Sequence, residues 1–165
     1  MEIAAAAALW FLPFAVPLCL YVAWNDMREM KIPNRAVLVL AAIYAGVGLV
    51  ALPFETWAWG WVHLAVMLVF GFALNVAGTL GAGDAKFAAA AAPFVALGDV
   101  RLVIVLFAAC LLAAFAAHRF VRAVPALRGL APHWKSWTTG ESFPMGLALG
   151  STLALYLLLG AAYGR

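Results

Sequence analysis

The sequence predicts an all-α polytopic membrane protein, a single domain over residues 1–165 built as a bundle of about six transmembrane helices. The first observation is composition: 68% of the residues are hydrophobic and 10% are charged, whereas a soluble domain is roughly 45–50% apolar and about 25% charged. The second is run length, since several apolar stretches approach the roughly 20 residues that a helix needs to cross a bilayer core about 30 Å thick.

Six apolar stretches define the predicted helices, at residues 3–23, 36–52, 57–80, 85–97, 102–117 and 143–163. The first lacks a basic start and a cleavage site, so we expect a membrane helix and not a secretion signal. The fourth has only 13 residues, or about 20 Å at 1.5 Å per residue. It must therefore extend into its flanks, sit inside the bundle or thin the membrane. Residues 118–142 are predicted to form a cytosolic loop.

Basic residues predict the orientation, because short loops rich in Lys and Arg stay in the cytosol. Eight of the ten basic residues fall in alternate loops: Arg28, Lys31, Arg35, Lys86, Arg119, Arg122, Arg128 and Lys135. Only Arg101 and Arg165 fall on the other side, so both termini are predicted outside. The net charge of +3 does not indicate binding to nucleic acid, because basic residues next to membrane helices are expected to face anionic lipid headgroups. The lipid bilayer is the predicted partner.

Neither a metal site nor a cofactor is predicted. His63, His118 and His133 are scattered, with only His63 expected inside a helix, and Cys19 and Cys110 lie in separate apolar segments. These positions do not give the ligand spacing of a zinc site.

The acidic residues are the candidates for chemistry, because a carboxylate near a membrane is costly to keep ionised. Five of the seven have ordinary explanations at a terminus, in a loop or in a capping box with Thr138: Glu2, Glu29, Glu55, Asp99 and Glu141. Asp26 and Asp84 remain. Two simpler interpretations stay open for them, namely an interfacial ion pair of Asp26 with Arg28 or Lys31, and Asp84 as the N-cap of the fourth helix.

The residues around the two aspartates favour irregular backbone. Asp26 precedes Pro33, which removes a backbone donor and prevents the helix from simply continuing. Asp84 closes the segment Gly81-Ala82-Gly83-Asp84, whose glycines permit close approaches that a Cβ would forbid. Such backbone is tolerated at membrane depth only where it is buried in protein or lines a wet cavity.

The predicted topology places both aspartates on one side of the membrane. Two carboxyl groups a few ångströms apart do not both ionise readily, so one keeps a proton while the other acts as base on a shared water. This is the chemistry of general acid and base catalysis of peptide hydrolysis, with the pair titrating as a unit.

At these residues the sequence resembles the type IV prepilin peptidase family of membrane aspartyl proteases. Asp26 followed after five residues by Ile32-Pro33-Asn34 matches the family's first signature, and Gly81-Ala82-Gly83-Asp84-Ala85-Lys86 matches its Gly-x-Gly-Asp-x-Lys signature. Phe143-Pro144-Met145-Gly146 resembles the Pro-x-Gly segment that opens the family's last helix.

The resemblance implies cleavage of prepilin or pseudopilin leader peptides at the cytosolic face of the bacterial inner membrane. It implies Asp26 and Asp84 as the catalytic pair, and supporting or substrate-binding roles for Pro33, Asn34, Gly81, Gly83, Lys86, Pro144 and Gly146. For Lys86, headgroup contact, substrate steering and direct catalysis all remain open.

Larger family members carry a segment with paired Cys-x-x-Cys zinc ligands and also methylate the new N-terminus. This sequence has no such cysteine pair, so the expectation is a peptidase without methyltransferase activity, of the short type that serves Tad or Flp pili. The alternatives are another Gly-x-Gly-Asp protease, of preflagellin, signal-peptide or presenilin type, and a small transporter or channel component in which the aspartates carry ions.

Overall fold

The computed structural model describes residues 1–140 and 142–165, and in this part of the chain it contains helices and no strand. The α-helices are α1 (Ala5–Glu29), α2 (Asn34–Ala51), α3 (Phe54–Val76), α4 (Ala82–Ala91), α5 (Val100–Ala123), α6 (Pro125–Arg128) and α7 (Met145–Tyr163). Five of them, all but α4 and α6, are long and apolar enough to cross a membrane. The all-α polytopic fold is therefore confirmed.

The fourth predicted helix has different bounds and a different form. Instead of residues 85–97, α4 covers Ala82–Ala91, and two 3₁₀ turns follow at Ala92–Phe94 and Leu97–Asp99. Pro93 lies in the first turn and cannot donate a backbone hydrogen bond, which limits the α-helix at this point. The middle of the segment is buried inside the bundle, with the Phe87 side chain fully covered.

Residues 82–99 nevertheless connect the two ends of the bundle. At the far end, the Ala96 N–H donates to the Tyr156 hydroxyl at 3.1 Å. The Asp99 carboxylate accepts hydrogen bonds from the Glu2 and Ile3 backbone N–H groups and from the Tyr156 hydroxyl. Asp99, expected in an ordinary outer loop, is thus a buried residue that fixes the N-terminal segment.

The two chain termini lie together at this same end. The Ala5 N–H donates to the Arg165 carbonyl at 3.1 Å, and the Arg165 N–H donates to the Ile3 carbonyl at 3.2 Å. Because α1 and α7 each run the length of the bundle from here, the C-terminal end of α1 and the N-terminal end of α7 meet at the opposite end.

Two helices continue beyond their predicted ends. α1 continues from residue 23 to Glu29, and α5 continues from residue 117 to Ala123. The predictions ended at the first polar residues, but charged side chains at an interface do not interrupt a helix. α5 ends at Ala123, and its C-cap Val124 is extended because the residue preceding a proline, here Pro125, is disfavoured in the α conformation. His118 is therefore a buried helical residue and not part of a loop, and the predicted loop 118–142 begins at 124.

Helices α1 and α7 form the centre of the bundle. A Cβ added at Gly150 of α7 would lie 2.7 Å from the Cys19 carbonyl oxygen of α1, so the two backbones approach through the glycine. Close packing through small residues is the expected mode of association for membrane helices. Closer to the chain termini, Phe11, Tyr44 and Phe94 form an aromatic cluster between α1, α2 and the 3₁₀ turn after α4.

The capping box expected between Thr138 and Glu141 lies partly outside the described residues.

We predict that Gly150→Ala lowers the free energy of unfolding by about 1–3 kcal/mol, because a methyl group there overpacks a contact with rigid backbone. The matched control is Gly46→Ala in α2, where an added Cβ has no neighbour within 4 Å. That change should be neutral or stabilising by up to about 1 kcal/mol, since alanine loses less backbone entropy than glycine in a helix. Thermal unfolding of both variants in the same detergent measures the difference, and equal stability of the two would contradict the α1–α7 packing.

Candidate active site

Asp26 lies in the last turn of α1, held there by the way this helix ends. Met30 adopts a left-handed conformation with φ 55°, and its N–H donates to the Asp26 carbonyl oxygen at 2.8 Å. The Asn25 side chain donates to the Lys31 carbonyl at 2.7 Å, and Pro33 is the N-cap of α2. The chain therefore turns back immediately, as the position of Pro33 predicted.

The Asp26 side chain is buried, with 5% of its surface exposed. The expected alternative, an interfacial ion pair with Arg28 or Lys31, is not what the structure contains. The two salt bridges of this region both go to Glu29, one from Arg28 at 3.2 Å and one from Lys135 at 2.6 Å. Asp26 is thus free of a compensating cation among the described residues.

Asp84 lies in the first turn of α4, after an irregular connection from α3. Gly78 has φ 74°, and the Asn75 side chain donates to the Leu80 carbonyl at 2.8 Å. The N-cap of α4 is Gly81 in an extended conformation, so the alternative in which Asp84 itself is the N-cap is wrong. A Cβ at Gly81 would lie 2.5 Å from the Asp84 Oδ2 atom, which explains why this position favours glycine.

The two aspartate segments are in contact with each other. A Cβ added at Gly83 would lie 3.3 Å from the Ile32 Cβ, so the α4 N-terminus packs against the turn before α2. Nearby, the Lys86 Nζ donates to the Asn34 Oδ1 at 3.2 Å. Lys86 and Asn34 are both exposed, and their hydrogen bond connects the first motif with the second across the surface.

The segment before α7 completes the site. Pro144 is the N-cap of α7 and is fully buried, and the Gly146 N–H donates to the Asp26 Oδ2 atom at 2.7 Å. A Cβ at Gly146 would lie 2.8 Å from the Asp26 Cβ. The structure therefore brings together all three segments that the sequence singled out.

The electrostatics of Asp84 reflect the proximity of the two acids. Burial raises the pKa of Asp84 from an ordinary value of 3.8 to about 6, and the negative charge of Asp26 contributes to the same rise. No hydrogen bond to the Asp84 side chain is present among the residues described. Within that same part of the chain, no cluster of three or more His, Cys, Asp or Glu side chains could hold a metal ion.

The segment between α5 and α7 packs beside the site through residues that the sequence did not single out. The Lys135–Glu29 ion pair attaches it to the end of α1. The buried His118 ring stacks on Trp137, with centroids 5.2 Å apart, and meets Phe143 edge-on. Glu29 was expected to be an ordinary loop acid, and no sequence signal identifies its long-range partner.

A comparison with protein families gives a match over residues 13–118 to the type IV leader peptidase family. This range is more than half of the chain and contains both aspartate segments. The chain belongs to this family. It is accordingly a multi-pass membrane peptidase, and the resemblance seen at the motifs is confirmed. Searches of curated proteins and of solved structures gave no match.

The raised pKa of Asp84 predicts how the stability of the peptidase depends on pH. Between the ordinary value of 3.8 and about 6, the folded state binds more protons than the unfolded state, so the contribution of Asp84 to stability falls as pH rises through this window. We expect Asp84→Asn to remove this fall and to raise the melting temperature at neutral pH relative to the wild type.

The measurement is thermal unfolding at about pH 4 and about pH 7, the two sides of the Asp84 titration. Glu55→Gln, which removes an exposed carboxylate at the other end of the bundle, is the control and should keep the wild-type pH dependence. A variant Asp84→Asn with the same pH dependence as the wild type would show that Asp84 titrates normally.

Proposed function

We propose that this protein is an aspartyl endopeptidase that removes the leader peptide from type IV prepilins or pseudopilins, with Asp26 and Asp84 as its catalytic pair. The observation that supports the proposal is the packing of the Asp84 segment against the turn that follows Asp26, where an added Cβ at Gly83 would lie 3.3 Å from the Ile32 Cβ. The raised pKa of Asp84, to which the Asp26 charge contributes, agrees with this arrangement. Family membership supports the peptidase activity independently.

The proposed chemistry is hydrolysis by a shared water. Because two neighbouring carboxyl groups do not both ionise readily, one remains protonated and the other is free to accept a proton. The ionised carboxyl takes a proton from water as the oxygen attacks the peptide carbonyl, and the protonated carboxyl stabilises the developing oxyanion. No metal ion or cofactor takes part in this scheme.

The location of the site suits a substrate that enters the membrane. Asp26 and Asp84 lie at one end of the bundle, next to the turn at residues 30–33 and the connection at residues 77–81, both irregular in structure. A peptide must be extended to be cleaved, and a site at the end of the bundle is one that such a segment can approach while a following apolar helix stays in the lipid.

Basic residues support a cytosolic orientation of this end. Lys31, Arg35 and Lys86 are exposed near the aspartates, and positive residues next to membrane helices favour the cytosol. The expected location is the bacterial inner membrane. Large apolar side chains exposed on α2, α3 and α5, such as Val50, Val69 and Leu112, provide the surface for lipid.

The alternative of a transporter or channel component has no support beyond the aspartates themselves, while the family supports a peptidase. Among Gly-x-Gly-Asp proteases with other substrates, the Asp26 segment with Ile32-Pro33-Asn34 favours the prepilin type.

We predict that Asp26→Asn and Asp84→Asn each abolish leader removal, with a loss of about 10⁴-fold or more, because a single carboxyl cannot alternate as acid and base. A prepilin of the Flp type, co-expressed with each variant, reports cleavage as a shift in gel mobility. Asp99→Asn is the matched control. Asp99 is also a buried carboxylate, but it lies at the other end of the bundle, so the membrane-inserted variant should retain cleavage. Normal processing by either catalytic variant would refute the assignment.

We also predict that both aspartate segments face the cytosol. In a background with Cys19 and Cys110 replaced, single cysteines at Lys31 and Lys135 should resist a membrane-impermeant thiol reagent in intact cells and react after the membrane is opened. A cysteine at the exposed Arg101 position should react in intact cells. Labelling of position 31 from outside would reverse the orientation and place the acids on the wrong face.

A further inference from the structure

We infer that Gly146 is a positioning residue that holds Asp26 as the carboxylate, so that Asp26 is the base of the pair and Asp84 carries its proton. The inference rests on the proposed function and deepens it, because it assigns different roles to two residues of the same type. It depends on contacts that are unequal for the two acids.

Asp26 receives a donor that favours its charged form. The Gly146 N–H donates to the Asp26 Oδ2 atom at 2.7 Å, and Gly146 is the second residue of α7. The first N–H groups of a helix have no partner within the helix, so this donor is available to an anion. It also lies at the positive end of the α7 dipole. A hydrogen bond to the ionised form stabilises that form.

Asp84 has no equivalent donor among the described residues. Its place in the first turn of α4 favours the anion slightly, but burial and the nearby charge of Asp26 outweigh this effect, since its pKa is raised to about 6. Burial disfavours the charged form of both acids, and Asp26 is the more buried of the two. Among the described residues only Asp26 has a donor that offsets this cost, so a single shared proton belongs on Asp84.

Glycine is required at position 146 for this contact. An added Cβ would lie 2.8 Å from the Asp26 Cβ and 3.0 Å from its Oδ2. Any other residue would push α7 away from Asp26 or rotate the carboxylate off the amide. The same position therefore controls both the location of Asp26 and its hydrogen bond.

The assigned roles give a balanced reaction. Asp26 takes one proton from water while the water oxygen bonds to the peptide carbonyl carbon, and Asp84 gives its proton to the carbonyl oxygen, which forms a gem-diol. Asp26 then returns its proton to the amide nitrogen as the carbon–nitrogen bond breaks, and Asp84 recovers a proton from one hydroxyl. The products are an amine and a carboxylic acid, and the pair regains its starting form.

The first test is infrared titration of the substrate-free protein, which requires no cleavage. A protonated carboxyl has a C=O stretching band that disappears on deprotonation, and we expect one such band to titrate near pH 6, where Asp84 does. The band should be absent in Asp84→Asn and present in Asp26→Asn, moved to lower pH because the neighbouring charge is gone. A band lost in Asp26→Asn and kept in Asp84→Asn would overturn the inference.

The second test compares Gly146→Ala with Gly150→Ala, two equal changes one helical turn apart. Both crowd α1, but only position 146 touches Asp26. Gly146→Ala should lower kcat by about 100-fold, with a smaller change in KM. It should also move the acid limb of the pH profile upward by about one unit, because the anion loses its donor.

Gly150→Ala should be less stable than the wild type but should keep the wild-type pH profile. An unmoved acid limb in Gly146→Ala would overturn the inference. If that variant does not insert, the infrared titration alone decides. If the wild type cleaves no prepilin while the band follows Asp84, the proposed function fails and the assignment of the proton stands.

Discussion

The close contact between α1 and α7 is the constraint on which the other features of this peptidase depend. In lipid there is little hydrophobic force between helices, so association requires close packing and hydrogen bonds. Gly150 allows the α7 backbone to reach the Cys19 carbonyl, and one turn earlier Gly146 donates to Asp26. The contact that stabilises the bundle therefore also determines where the first aspartate lies.

The described residues contain two buried aspartates, Asp26 and Asp99, and they differ in the number of hydrogen bonds that each carboxylate accepts from the protein. Asp99 accepts hydrogen bonds from two backbone N–H groups and the Tyr156 hydroxyl, so its acceptor capacity is largely used by the protein. Asp26 has one protein donor, and Asp84 has none in the described chain. A carboxyl with unused acceptor sites at the end of a bundle can bind water or a peptide, whereas a saturated one fixes the fold.

Composition and charge were enough to predict the helical membrane fold, and the two aspartate motifs predicted which distant segments meet. Hydropathy could not predict the form of α4, because a segment surrounded by protein need not be a complete apolar helix. It also ended α5 too early, so that His118 was expected in a loop. The role of Asp99 was missed because its partners, Glu2, Ile3 and Tyr156, lie far away in sequence and carry no local pattern.

The glycines next to the two acids act through the space they leave and not through unusual backbone angles. Gly81 has φ −64°, a value open to any residue, and the positive-φ glycines are Gly78 and Gly140 elsewhere in the described chain. What a side chain at Gly81 or Gly146 would do is occupy the volume of the Asp84 or Asp26 carboxylate. An aspartate side chain is short and has few rotatable bonds, so a change of rotamer cannot take its carboxylate away from an added Cβ. The absence of a Cβ at these two positions is therefore what lets two carboxyl groups occupy a tightly packed helix junction.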